Sequence, residues 1–200
     1  KIPLSQALEK IPEDVDILHL WCTPSTIPKK PFIITIEGNG QSFERFHPNT
    51  VFISRKHAEN HSSSIYVHNG LNINEFSIGK KKPNRAVFLA KASWSVKNLE
   101  GAITLAKAAK FELDVLGSRS FPLEIQRLLP RKDGVRYHGM VDGLYKKQLL
   151  SEARVLFFPV RWHEPFGVAL IEAMASGCLV FGTPYGSLPE IIDSNSGFLS

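Results

Sequence analysis

The feature that most constrains the fold is a regular alternation of short apolar runs and longer amphipathic segments over residues 85–200. The apolar runs predict buried strands, namely RAVFLA (85–90), FELDVLG (111–117), VRYHG (135–139), RVLFFPV (154–160), CLVFG (178–182) and GFLS (197–200). The segments between them predict helices over 96–110, 122–129, 142–153, 166–176 and 188–192. Strands separated by helices form βαβ units, and these build a parallel sheet covered on both faces. We therefore expect an α/β, doubly wound domain.

The first third of the chain has a different pattern. VDILHLW (15–21), FIITI (32–36) and TVFIS (50–54) predict strands, with little helix around them. A polar stretch rich in Asn, Lys and Gly follows, which is typical of a linker. We expect residues 1–69 to be the C-terminal part of one domain, 70–84 the interdomain linker, and 85–200 a second domain whose last helices are missing.

Composition narrows the classes of partner. The 24 basic residues exceed the 19 acidic ones, which suits nucleic acid, an anionic membrane surface or a small molecule that carries phosphate. No RNA-recognition signature, zinc-finger spacing or pattern of stacking aromatics is present, so no nucleic-acid partner is predicted. The two cysteines lie far apart, which favours a reducing compartment. The seven histidines lack metal-ligand spacing, and we expect no metal and no cofactor.

Two carboxylates stand in a segment that otherwise resembles buried core, FPVRWHEPFGVALIEAMASGCLVF (158–181). They are Glu164, before the helix, and Glu172, inside it. Ligands of doubly wound sheets bind where strands end and helices begin, and the helix N-terminus suits a phosphate that Gly167 lets approach. Hydroxyls of a ribose or sugar would satisfy both carboxylates. Alternatively, Glu164 is a solvated loop residue and Glu172 an internal salt-bridge partner; the spacing alone leaves both interpretations open.

A wider series of motifs accompanies these carboxylates. Glu-Pro-Phe-Gly from Glu164, Glu-Ala-Met-Ala-x-Gly from Glu172 and the later GSLPEII resemble the retaining glycosyltransferases of family 4. Further matches are VDILH (15–19), YVHNGLNINEF (66–76), FLAKASWSVKNLEGAI (88–103) and VRYHGMV (135–141). The resemblance covers most of the chain. It implies the GT-B fold, two Rossmann-like doubly wound domains facing a cleft, with the N-terminal domain incomplete in this chain.

The resemblance also implies how a nucleotide-sugar donor is bound. Glu172 would hold the ribose hydroxyls, and Glu164 would face the hydroxyls of the transferred sugar as a catalytic residue. The backbone at Phe166, Gly167 and Val168 would meet the diphosphate.

Two cations and a third carboxylate complete the implied site. Lys97 would be the family's phosphate-binding lysine, and Lys91 stands near the position of its arginine, where it keeps the charge but loses the bidentate fork. Glu37 stands where many members have a histidine at the end of an N-domain strand. Glu37 is our second catalytic candidate, as a hydrogen-bond acceptor or base, although an ordinary loop carboxylate is equally compatible with the sequence.

These features predict a metal-independent, hexosyltransferase-like retaining glycosyltransferase. It would transfer a sugar from a nucleoside diphosphate sugar to a hydroxyl of a glycan or lipid-linked acceptor, in polysaccharide, lipopolysaccharide or glycolipid synthesis. We expect a cytoplasmic protein, with peripheral association at the cytoplasmic membrane face as an option. The alternative is a catalytically impaired GT-B module that still binds the nucleotide sugar.

Overall fold

The computed structural model describes residues 4–41, 44–80, 82–117 and 134–200. The chain divides into two compact units, residues 1–69 and 70–200. Residues 70–84, which we expected to form a linker, are grouped by their contacts with the second unit. The helix predicted over 122–129 lies outside the described residues.

The first unit is built on a small parallel sheet. Its strands pair in the order β1-β2-β3, and its elements are α1 (Leu4–Leu8), β1 (Leu18–Leu20), β2 (Phe32–Ile36), β3 (Thr50–Phe52) and α2 (Arg55–Asn60). Alternate residues of β2 are buried, because successive side chains of a strand point to opposite faces. Ile34, Phe52 and Ala58 are almost fully buried at the centre of this core.

The described residues of the second unit contain a six-stranded parallel sheet with the order β6-β5-β4-β7-β8-β9. Its strands are β4 (Arg85–Leu89), β5 (Glu112–Leu116), β6 (Val135–Tyr137), β7 (Val155–Phe158), β8 (Leu179–Gly182) and β9 (Gly197–Leu199), and its described α-helices are α3 (Leu99–Ala108), α4 (Gly143–Glu152), α5 (Val168–Ala175) and α6 (Leu188–Ile191). The predicted α/β class with parallel sheets is confirmed. The strand order reverses between β4 and β7, which makes this pair the topological switch point.

Apolar side chains cover both faces of this sheet. Phe157 and Phe158 are neighbours on β7, yet they belong to two different core clusters. Phe158 packs in the cluster that contains Leu170 of α5, and Phe157 in the cluster that contains Ala102 of α3. A parallel strand with helices on both sides buries its side chains on both faces, which explains why β7 has an unbroken run of apolar residues. No α-helix in the described part of the chain is both long and apolar enough to cross a membrane.

Candidate functional site

The loops that follow β4 and β7 are held together at the switch point. The backbone N–H of Arg161 donates to the carbonyl of Val96 at 2.8 Å, and the side-chain amide of Asn98 donates to the carbonyl of Pro159 at 2.8 Å. Asn98 has a left-handed backbone conformation and also caps the start of α3 through a bond from the N–H of Gly101. These bonds place the loop that carries Lys97 against the loop that carries Glu164.

A buried ion pair lies where the two loops meet. The Nζ atom of Lys97 is 2.5 Å from Oε2 of Glu164, and the two side chains are only 11% and 9% exposed. The indole N–H of Trp162 donates to the same oxygen at 2.7 Å. Among the described residues, the other carboxylate oxygen, Oε1, receives no such bond, so it is the atom available to a ligand.

Each of the two lysines in the loop after β4 lies beside an aromatic ring. The Lys97 ammonium lies 4.5 Å from the centroid of the Trp162 ring, and the Lys91 ammonium lies 4.3 Å from that of Trp94. The two indoles meet edge to face with centroids 6.1 Å apart. Our sequence interpretation missed both tryptophans. Their positions in the sequence could have indicated them, because Trp94 lies between the two lysines and Trp162 is two residues before Glu164.

Glu172 also has a protein partner. It lies on α5, and its Oε1 atom is 2.6 Å from Nζ of Lys146 on α4. The two side chains are 13% and 21% exposed, so the charges are largely removed from water. The alternative that Glu172 is an internal salt-bridge partner therefore holds for its Oε1 atom. Within the described residues, its Oε2 atom has no hydrogen-bond donor and is free to accept one from a ligand.

The first turn of α5 follows Glu164 directly. Gly167 is the residue before the helix, and its φ of +86° lies in the left-handed region that favours glycine. The Phe166 carbonyl is held by the hydroxyl of Ser187 at 2.8 Å, while Val168 begins the helix. The N–H groups of this turn lie at the positive end of the helix dipole and can bind an anion.

A second glycine supports Glu164 from the loop before α6. Gly186 has a φ of +65°, and a Cβ atom placed on it would lie 2.3 Å from both the backbone N and O of Glu164. The next residue, Ser187, donates its N–H to the Glu164 carbonyl at 2.9 Å. The backbone of Glu164 is therefore fixed by a contact that only glycine allows.

A buried polar network ties α4 to the sheet. The Arg85 guanidinium and the His138 ring both bond the carboxylate of Asp114, the latter at 2.6 Å. The other nitrogen of His138 lies 2.9 Å from the hydroxyl of Tyr145. Burial raises the pKa of Asp114, but the bond from His138 and the charge of Arg85 outweigh it and hold that pKa below its ordinary value. The carboxylate is therefore ionised at neutral pH.

Glu37 belongs to the first unit. It is exposed and comes directly after β2. The carbonyl of the next residue, Gly38, lies 3.0 Å from Nε2 of His57, a buried residue of α2. This bond fixes the backbone beside Glu37. In the described residues, no cluster of three or more His, Cys, Asp or Glu side chains could hold a metal ion.

The family model of the glycosyl transferases group 1 matches residues 72–200. The chain belongs to this family. The matched range of this group 1 glycosyltransferase includes Lys91, Lys97, Glu164 and Glu172. Glu37 lies outside the matched range. A search of curated proteins finds no match.

Solved structures resemble this group 1 glycosyltransferase in fold. AviGT4, a glycosyltransferase involved in avilamycin A biosynthesis, has a TM-score of 0.78 at 21% identity, over 98% of this chain and 62% of that one. HepE of Anabaena in complex with UDP-glucose has a TM-score of 0.68 at 15% identity, over 86% and 59%. Sucrose-phosphate synthase from Thermosynechococcus elongatus has a TM-score of 0.66 at 18% identity, over 84% and 54%. The chain thus spans about three fifths of the length of these GT-B proteins.

Proposed function

We propose that this group 1 glycosyltransferase moves a hexose from a nucleoside diphosphate sugar to a hydroxyl acceptor, with retention of anomeric configuration and without a metal. The observation that carries the proposal is the environment of the Glu164 carboxylate. Its carboxylate is buried at the switch point with two donors on Oε2 and none on Oε1 among the described residues. The HepE structure, which contains UDP-glucose, supports a donor of this class.

The diphosphate would lie against the first turn of α5. Backbone N–H groups at Phe166, Gly167 and Val168 would donate to it, and Lys97, the ion-pair partner of Glu164, would supply a cation. An ammonium has three protons, so Lys97 can keep its bond to Glu164 and still donate to a phosphate oxygen. Negative charge grows on the leaving diphosphate as the glycosidic bond breaks, and a fixed cation and helix dipole stabilise that charge. Lys91 is the second cation of this loop.

The sugars would be held by the two carboxylates. Glu164 Oε1 would accept from hydroxyls of the transferred hexose, and Glu172 Oε2 from the ribose. Each carboxylate already has a lysine partner, so an incoming neutral hydroxyl needs no further protein charge. Hydrogen bonds to ionised acceptors are the stronger ones, which suits selection among sugars.

We propose that the first unit supplies the acceptor side. Glu37 would act there as a base or as a stabiliser of positive charge in the transition state. The acceptor is proposed to be a glycan or lipid-linked hydroxyl in polysaccharide, lipopolysaccharide or glycolipid synthesis, with the enzyme cytoplasmic or at the cytoplasmic membrane face. The second candidate is a module that binds donor without turnover; Glu37 in place of the common histidine favours it.

The test is ligand-dependent stability followed by product analysis. UDP, GDP and ADP, their hexose conjugates and the free nucleosides are screened by thermal shift, with and without EDTA. The correct diphosphate should stabilise the protein by about 2.7 kcal/mol at ~100-fold excess over its dissociation constant. Turnover should give a product whose anomeric configuration, read by NMR, equals that of the donor. Failure of every nucleotide to stabilise the protein would refute the donor site, and binding without turnover would select the second candidate.

A further inference from the structure

Three consecutive residues of α4 have three different partners. Tyr145 bonds His138 of the buried network, Lys146 bonds Glu172 of α5, and Lys147 bonds Glu75 at 2.7 Å. The partners of Tyr145 and Lys146 are largely buried, whereas Glu75 is 54% exposed. Lys146 therefore extends from a helix that is anchored to the sheet at the adjacent position.

The ion pair with Glu172 is directional. Lys146 contacts one carboxylate oxygen, Oε1, at 2.6 Å, and no other protein donor reaches this carboxylate in the described ranges of the chain. A carboxylate on a flexible side chain would otherwise rotate freely about its last bond. The contact fixes that rotation and decides where Oε2 points.

The pair also changes the charge that a donor would meet. Glu172 lies four residues after Val168, which is about 6 Å along a helix at roughly 1.5 Å per residue. An uncompensated carboxylate at that distance, away from water, would repel a diphosphate bound at the first turn. Lys146 cancels this charge, so Glu172 can accept from hydroxyls without weakening the phosphate site.

We propose that Lys146 is a positioning residue that makes Glu172 a selector for ribonucleotides. It holds Oε1, presents Oε2 to the vicinal hydroxyls of the ribose, and neutralises the carboxylate toward the diphosphate. The proposal rests on the proposed function, because it needs a nucleoside diphosphate at this site. It goes further by naming the residue that sets the preference for ribose over deoxyribose.

The experiment compares dissociation constants for UDP, GDP and ADP with those of their 2′,3′-dideoxy forms, by calorimetry on the full chain. The wild type should prefer the ribose form of its nucleotide by about tenfold or more, since bonds to charged acceptors are strong. In Lys146→Met the preference should fall to within about threefold, while Lys146→Arg, which keeps the cation, should restore most of it. Lys147→Met is the matched control, and it should retain the wild-type preference.

The outcomes separate the two proposals. A wild type that binds none of the nucleotides refutes the donor site and this inference with it. A wild type that prefers ribose, together with Lys146→Met that prefers it equally, overturns the role of Lys146 alone and leaves the donor site standing. If Lys146→Met does not fold, Lys146→Gln replaces it under the same criterion. If the ion pair had a purely structural role, its removal would lower the melting temperature without changing the ratio of the two dissociation constants.

Discussion

The Nζ atom of Lys97 lies 2.5 Å from Oε2 of Glu164, so the lysine expected at the phosphate and the glutamate expected at the sugar form a single buried pair. Removing one member of such a pair leaves an unpaired charge away from water, which is costly. Substitutions at either residue therefore change both the stability and the ligand site. Ligand comparisons within one variant separate these effects.

Lys97→Ala should weaken binding of the nucleoside diphosphate by about tenfold or more, because it removes a charge-assisted contact to phosphate. Binding of the free nucleoside should change little. Calorimetry with both ligands on the same variant measures this, and the nucleoside serves as the internal control for misfolding. Equal losses for the two ligands would remove Lys97 from the phosphate site.

Trp162→Phe should keep an aromatic ring beside Lys97 but lose the N–H that donates to Glu164 at 2.7 Å. Turnover should fall about tenfold, since hydrogen bonds to charged groups contribute roughly 1.5–3 kcal/mol. Affinity for the nucleoside diphosphate alone should change little. Trp94→Phe is the control, because the described contacts of Glu164 include Trp162 and not Trp94. Equal turnover in the two variants would contradict the assignment.

Gly186→Ala should unfold or distort the loop around Glu164. The new Cβ would lie 2.3 Å from backbone atoms of Glu164, and the φ of +65° strains any side chain. A loss of about 1–3 kcal/mol is expected for the backbone conformation alone, with the clash adding to it. Gly70→Ala is the matched control, because no atom of the described residues lies within 4 Å of a Cβ at that position. Chemical denaturation measures both variants, and similar stabilities would refute the close contact.

His57 should make the first unit sensitive to acid. Burial and the nearby charge of His61 lower the pKa of His57 to about 4 from 6.5, against the raising effect of the Gly38 carbonyl. The unfolded chain therefore binds more protons than the folded one between pH 6.5 and 4. The stability from the neutral ring is fully present above pH 6.5 and is lost as the pH falls toward 4. The loss in the free energy of unfolding is roughly 3 kcal/mol, since one pKa unit corresponds to about 1.36 kcal/mol.

Hydrogen exchange of the β2 and β3 amides at pH 7 and 4.5 measures this loss in the first unit alone. His57→Gln keeps a donor for the Gly38 carbonyl and does not titrate. In this variant, the protection of the β2 and β3 amides from exchange should therefore depend less on pH. The same pH dependence in both proteins would show that another group is responsible.

Glu37→Gln should lower turnover at least tenfold, about 1.4 kcal/mol of barrier, with donor affinity nearly unchanged. The physical reason is that an ionised carboxylate stabilises the positive charge that develops on the sugar. Steady-state kinetics with donor titration give both values. Glu37→His tests whether the histidine common in the family restores activity. Full activity of Glu37→Gln would make this residue an ordinary loop carboxylate.

The sheet of the second unit could be predicted because its signals are local. The apolar run of β7 is recognised within a few residues, and so is the glycine after α5, Gly177, whose φ of +76° suits the end of a helix. Glu164 and Glu172 could be selected for the same reason. They are charges in an apolar segment, and burial without a partner would be unfavourable.

The partners of these charges could not be predicted. Lys146 meets Glu172 only because α4 and α5 pack on the same side of the sheet, and nothing near Lys146 in sequence distinguishes it from Lys147. The link between Asp114 and His138 likewise depends on how neighbouring strands align. Such pairs are set by strand order and register, which local patterns in a single sequence do not reveal.

The strand order also affects when the site around Lys97 and Glu164 can form during folding. Ala86 of β4 pairs with Val155 of β7, whereas β4 pairs with β5 after only one helix. Contacts between distant positions have a larger entropy cost of chain closure, so we expect the pairing of β4 with β7 to form after that of β4 with β5. Until β7 docks, one edge of β4 has no partner and can recruit a foreign strand. Lys97 and Glu164 meet only after that step, so a stalled or truncated chain lacks the ligand site and carries an aggregation-prone edge in its place.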